Sequence, residues 1–227
     1  QIPVSFEAFK TEQSGINLRS QMGTQIGDRA RLTQDKQTIL DTYGDAFAGS
    51  VNTTPDGDAW ASNSHTTLKS VNIDNLETGV LNADNLWTVV QSLANQKAQD
   101  GEAGSQLFEG IVVPFGLLKT THETLDSELI PFSGENQIGF FQTVYGQVRI
   151  GATIFLGSTY NSATNANTSY HVISRNHQAS RRVLTNLSTN LIPPENTTND
   201  TYIERARYME TSFIGSWFGY VGSNGTV

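Results

Sequence analysis

Cysteine is absent from the 227 residues. That removes a disulfide scaffold, a thiolate nucleophile, a Cys-ligated zinc site and an iron–sulfur cluster together. Charge is sparse: charged residues make up 16% of the chain, where roughly 25% is usual in soluble domains. Asn, Thr and Ser take their place, so much of the surface is expected to be polar and neutral. Basic residues are fewer still, 14 Lys and Arg against 22 Asp and Glu, for a net charge of −8. Arg181-Arg182 is the only adjacent basic pair, which argues against a protein that holds nucleic acid by neutralising phosphates. Long apolar runs are also missing. The segment Ile111-Val112-Val113-Pro114-Phe115-Gly116-Leu117-Leu118 is interrupted by Pro and Gly, far short of the roughly 18–20 apolar residues of a membrane-spanning helix. The chain begins at Gln1 with no initiator Met and no apolar signal core, so an upstream part is expected to precede it.

What is present begins with helical spacing over residues 15–47. Leu18, Met22, Ile26 and Ala30, then Ile39, Tyr43 and Phe47, recur every four residues. This predicts one long amphipathic helix or two in line, with Ser14 as N-cap and Gly44 and Gly49 as exits. Gly23 and Gly27 each weaken it by about 1 kcal/mol relative to Ala, and their spacing would admit another backbone. Residues 52–58 are a loop by composition. Residues 60–81 are expected to be an ordered excursion anchored by Trp60, Leu68, Val71, Ile73, Leu76 and Val80. Helical spacing returns over 83–99, then a strand over 110–114 breaks at Pro114 into a second amphipathic helix over 115–129. The stretch 131–136 reads as a turn, 140–155 as one or two strands, 158–169 as an exposed loop, and 170–173 as a short strand. A polar connector is expected over 186–200 around Pro193-Pro194, and an aromatic-rich extended segment over 202–221 that pairs with strands distant in sequence.

Little here carries chemistry. His65, His122, His171 and His177 lack a His-Glu-x-x-His pattern, and the six-residue separation of His171 and His177 does not suit one metal. His65 would serve as a general base only beside a nucleophile, and no Gly-x-Ser-x-Gly elbow supplies one; a surface or turn histidine is the simpler reading. Asp56 and Asp58 flank Gly57 without the Glu of a calcium loop, so they read as turn corners. Phosphate-binding glycine motifs are missing. Asn-x-Ser/Thr sequons, among them those at Asn52, Asn167, Asn186, Asn196 and Asn199, are what chance yields in a chain so rich in Asn and Thr. No catalytic, cofactor-binding or metal-ligating residue is assigned. A long helix, polar excursions and extended segments of this length suit a building block.

Four stretches resemble one family. The long helix leads into Thr54-Pro55-Asp56-Gly57-Asp58-Ala59-Trp60 and Ser62-Asn63-Ser64-His65. Asp74-Asn75-Leu76-Glu77-Thr78-Gly79 and Leu81-Asn82-Ala83-Asp84-Asn85-Leu86 precede the second helix. Ile111-Val112-Val113-Pro114 is followed by a helix and by Ser127-Glu128-Leu129-Ile130-Pro131. Arg205-Ala206-Arg207-Tyr208 runs on to Trp217-Phe218-Gly219-Tyr220 and Ser223-Asn224-Gly225. In order and spacing these resemble the major capsid proteins of tailed bacteriophages, the Hong Kong 97-like fold, in particular the Mu-like major head proteins.

The resemblance implies an α+β capsid fold with a long spine helix at about 15–47, a peripheral domain of residues 1–82 and 201–227 that holds the closing strands, and an axial domain of residues 83–200. The family's N-terminal arm and extended loop are absent from this chain; Ile2 to Phe9 would be the loop's return strand, and nothing supports the founding member's lysine cross-link. It implies a non-enzymatic structural subunit without cofactors, which self-assembles into pentamers and hexamers of an icosahedral shell around double-stranded DNA. Its partners would be other copies, portal, scaffold or protease, decoration proteins, and a genome held without sequence-specific contacts; no membrane is involved. Its place would be the virion capsid, assembled in the host cytoplasm. Encapsulin-type compartments share the fold and would enclose enzyme cargo. A secreted β-rich adhesin and a hydrolase built on His65 or His171 are the readings from other classes.

Overall fold

The computed structural model describes residues 2–5, 18–126, 140–192 and 201–226. The chain divides into two compact units, Gln1–Thr38 with Arg181–Thr211, and Ile39–Ser180 with Ser212–Val227. These cuts fall elsewhere than the expected 82/83 and 200/201 boundaries. Strands from both sides of residue 82 share one sheet in the second unit, and backbone pairing overrides sequence distance.

The first unit contains β1 (Ile2–Ser5) and most of the 22-residue helix α1 (Leu18–Ile39), as the apolar spacing predicts. It also takes most of the long strands β8 (Gln178–Ile192) and β9 (Thr201–Ser216). The sheet order is β1-β9-β8, with β1 antiparallel to β9 so that Ile2 faces Glu204 and Ser5 faces Thr201. Ile26 and Ala30, four apart on α1, are its buried apolar side chains among the described residues, which leaves a narrow apolar stripe. No backbone approaches at Gly27, whose missing Cβ would meet nothing within 4 Å. Strand β8 runs through 186–192, where a polar connector was expected, because ladder hydrogen bonds use the backbone and tolerate Asn, Thr and Ser side chains. The remainder of that connector, 193–200, lies outside the described residues, as do Ser14, residues 6–9 and the turn at 131–136.

The second unit begins with a π-helical turn, Leu40–Gly44. The short strands β2 (His65–Thr66), β3 (Asn72–Ile73) and β4 (Leu76–Glu77) follow, then α2 (Ala83–Ala94). Asn82 caps α2, its side chain accepting from the Asn85 N–H at 2.8 Å. Next come β5 (Gly110–Pro114), a 3₁₀ turn at Phe115–Leu117, α3 (Leu118–Leu125), α4 (Phe140–Tyr145), β6 (Arg149–Thr153), a 3₁₀ turn at Ile154–Leu156, β7 (Tyr170–Ile173) and β10 (Tyr220–Ser223). The five-stranded sheet runs β4-β10-β7-β5-β6, with β10 parallel to β4, β5 parallel to β6, and β7 antiparallel to both its neighbours.

Leu86, Val89, Val90 and Leu93 lie on one face of α2 and bury against Ile111, Val113, Tyr170, Val172 and Val221 of the sheet. Each such side chain contributes about 1.5–3 kcal/mol on burial. Where strands were expected over 140–155, residues 140–145 are helical. Phe141 and Tyr145 both reach Phe108, at ring separations of 6.3 and 5.5 Å; a helical turn brings residues four apart within about 6 Å of each other, whereas a strand would hold them about 13 Å apart. The expected extended segment over 202–221 breaks at 217–219, where Gly219 takes φ +79°. The excursion over 60–81 is anchored by Trp60 and Ile73, but Leu68 is 86% exposed. It sits in a turn closed by Thr67 N–H to Val71 O (3.0 Å), with Ser70 at φ +59°. Within 158–169 Ala166 is buried, so that loop is not wholly exposed.

Candidate functional site

Of the residues weighed for chemistry, Asp56, Asp58 and His65 gather around the loop that follows α1 and the π-helical turn. Asp45 starts it. Its buried carboxylate accepts the backbone N–H groups of Ser50 (2.9 Å), Val51 (2.7 Å) and Asn52 (3.0 Å) and the Ser50 hydroxyl (2.5 Å). Burial alone would raise its pKa, but these four donors outweigh it and hold the carboxyl below its usual range. Beyond it, the 54–58 turn closes through Gly57 N–H to Thr54 O (2.9 Å), with Gly57 at φ +91°. The Thr54 hydroxyl donates to Asp56.

His65 is buried outright, not the surface histidine the sequence suggests. Nδ1 lies 2.9 Å from the Asp56 carboxylate, Nε2 lies 3.1 Å from the Trp60 carbonyl, and the Trp217 ring stacks at 5.7 Å. Both ring nitrogens thus meet oxygen acceptors. Burial pushes Asp56 up, but hydrogen bonds from Thr54 and His65 and the charge of His65 prevail and lower it. Asp56, Asp58 and His65 bring ligand-type atoms within 4.8 Å of one another. They are the residues that would hold a cation, yet both nitrogens of His65 are already engaged and the trio works as a clasp on the loop.

The clasp joins a buried polar lattice. Asn75 donates to the carbonyls of Trp60 (2.8 Å) and Tyr220 (3.3 Å) and accepts from Ser62 N–H (2.8 Å). Gln96 donates to Tyr220 O (2.6 Å) and accepts from Gly219 N–H (2.8 Å). The Trp60 indole donates to Ser216 O (3.2 Å), while its ring stacks on Tyr220 at 3.7 Å. These side chains satisfy backbone groups that burial has stripped of water.

His171, on β7, is fully buried among Tyr43, Phe47 and Tyr220, with Nδ1 2.8 Å from the Tyr220 hydroxyl. Burial lowers its pKa to about 3 and pushes the Tyr43 hydroxyl up to about 12. His177 is in the following turn, Nδ1 on Ser174 O (2.8 Å), and His122 pairs with Asp126 at 2.6 Å on α3. Among the described residues the ring partners of the four histidines are carboxylates, backbone carbonyls and one tyrosine hydroxyl. No serine or threonine hydroxyl is activated by any of them. No described helix is long and apolar enough to cross a membrane.

The outer surface shows what the interior does not. Pro114 of β5 lies opposite Thr153 of β6, so the next residues, Phe115 and Ile154, emerge side by side at the end of two parallel strands, 58% and 51% exposed. Leu107 and Val51 are 75% and 63% exposed. Paired exposed apolar side chains mark association surfaces more than single ones do.

No known family profile and no curated protein match the chain. Among solved structures it is similar to the capsid of Myoviridae phage XM1, with a TM-score of 0.53 at 14% sequence identity over 98% of this chain and 70% of that one. The chain has a capsid-like fold. The capsid-like chain therefore combines helices and sheets as the α+β expectation requires. Sequence reasoning missed the burial of His65 and the lattice of Asn75 and Gln96. The one signal for them was the density of Asn, Gln and Ser beside isolated aromatics.

Proposed function

We propose that this chain is the structural subunit of an icosahedral, tailed-phage head of the Hong Kong 97 type, similar to the Mu-like head proteins. The observation that carries the reading is the likeness to a phage capsid over 98% of the chain. The exposed apolar ends of β5 and β6, which a lone subunit would leave in water, support the reading.

On this reading copies associate as pentamers and hexamers around the DNA genome. The axial role falls to residues 83–200 and the peripheral role to residues 1–82 with 201–227, α1 serving as the spine helix. An interface of about 1,600 Å² is often only micromolar alone, and closure with several neighbours multiplies its effect. A net charge of −8 suits a wall past which DNA slides, since few cations are available to pair with phosphate. Portal, scaffold or protease and decoration proteins would be its further partners, and the virion its place.

The test is negative-stain imaging and light scattering of the expressed full-length gene product. Closed shells of uniform diameter are the expected outcome. A sharp monomer that does not change with concentration at native ionic strength would overturn the reading.

A further inference from the structure

Charge is divided unevenly between the two compact units. Residues 1–38 with 181–211 hold nine Lys and Arg against eight Asp and Glu, net +1. The remainder holds five against fourteen, net −9. In the first unit a groove of about 870 Å³ opens between α1 and β9. Ile26, Ala30 and Ala206 line it with apolar surface, and Arg29 and Arg205 line it with two guanidinium groups against the single carboxylate of Asp28. Among the described residues neither arginine has a carboxylate within salt-bridge distance.

The second unit carries a feature of opposite character. Leu68, 86% exposed, is the most exposed of the large apolar side chains among the described residues, and it stands on a hydrogen-bonded double turn. Thr67 N–H to Val71 O closes one turn and Gly101 N–H to Ala98 O (2.8 Å) closes the other, while Leu68 N–H to Gln99 O (2.9 Å) ties them together. Asp100 and Glu102 are exposed on the same tip. Glu102 has only an exposed lysine partner, Lys69 at 3.0 Å, and such a surface pair is easily exchanged.

We propose that the α1–β9 groove is a socket for this Leu68 tip of a second copy of the chain, with Leu68 on the apolar floor and Asp100 and Glu102 against Arg29 and Arg205. An arginine fork pairs with carboxylates in two-point contacts, and the apolar floor suits a leucine better than it suits a phosphate backbone. Socket and knob are built from different residues, so the contact is heterologous, the kind that closes rings. The assignment rests on the shell-subunit reading and names one of its contacts.

The full chain tests it by charge reversal. R29E/R205E and D100K/E102K are each expected to raise the concentration needed for assembly at least tenfold, and the combined four-fold variant to restore it. Because the chain has no cysteine, the pair A30C/L68C supplies a second measurement that survives poor folding of a charge variant. Mild oxidation of its assemblies is expected to give a reducible ladder of linked copies on denaturing gels. If the unaltered chain forms no assemblies, the shell reading itself falls. If it assembles but the reversals leave assembly unchanged, or no ladder forms, this contact alone is overturned. Duplex DNA binding that R29E/R205E abolishes while assembly persists would instead make the groove a phosphate site and overturn the proposal as well.

Discussion

Mild acid should destabilise this protein through His171. His171 is surrounded by Tyr43, Phe47 and Tyr220, is fully buried, and has its pKa lowered by burial from 6.5 to about 3. Below pH 6.5 the unfolded chain therefore takes up a proton that the folded chain refuses until about pH 3. Stability present at neutral pH is lost across that window. At pH 5 the loss is about 2 kcal/mol, from about 1.4 kcal/mol for each pH unit below the unfolded value. His171→Phe keeps an aromatic ring in the stack but strands the Tyr220 hydroxyl, which costs about 1–3 kcal/mol at every pH. The informative quantity is the difference between pH 7 and pH 5, from denaturant unfolding followed by fluorescence of the buried Trp60 and Trp217. The unaltered chain should lose about 2 kcal/mol more than the variant over that interval. Equal losses in the two proteins would refute the reasoning, because every other titrating group is common to both.

Asp45→Asn replaces one accepting oxygen with a donor facing the N–H groups of Val51 and Asn52; about 2–4 kcal/mol of stability should disappear in urea titrations at pH 7. Since the folded pKa of Asp45 is depressed, its contribution is present above the ordinary carboxylate range and fades as pH falls through the folded value, so the two proteins should converge in strong acid. Leu93→Ala empties a fully buried site under the sheet and should cost about 2–5 kcal/mol, with a lower midpoint and an unchanged denaturant slope. At Gly104 an added methyl would lie 2.7 Å from the Gln96 carbonyl oxygen and against the Phe218 ring; Gly104→Ala should lower the thermal midpoint, by overpacking worth about 1–3 kcal/mol.

Helix α1, helix α2 and the strand that breaks at Pro114 were legible in the sequence because each answers to a local rule: apolar repeats at three and four residues, and a proline that cannot continue a ladder. The absence of cysteine likewise excluded thiolate chemistry and disulfides without a structure. Local rules failed where partners came from far along the chain. Phe141 and Tyr145 fit a strand pattern until Phe108 supplies one side for both of them. His65 in a polar loop gives no hint of burial until the Trp60 carbonyl, Asp56 and the Trp217 ring enclose it, and Trp217 comes from 152 positions away. Leu68 looks like an anchor in one dimension and points to water in three, because a tight turn fixes its direction before any core can claim it. Sequence by itself thus determined which segments could be helix or strand and which reactions had no residues to perform them. The tertiary structure decided which polar groups lost their water and which apolar ones kept it, since burial is settled by the sum of contacts that distant segments make together.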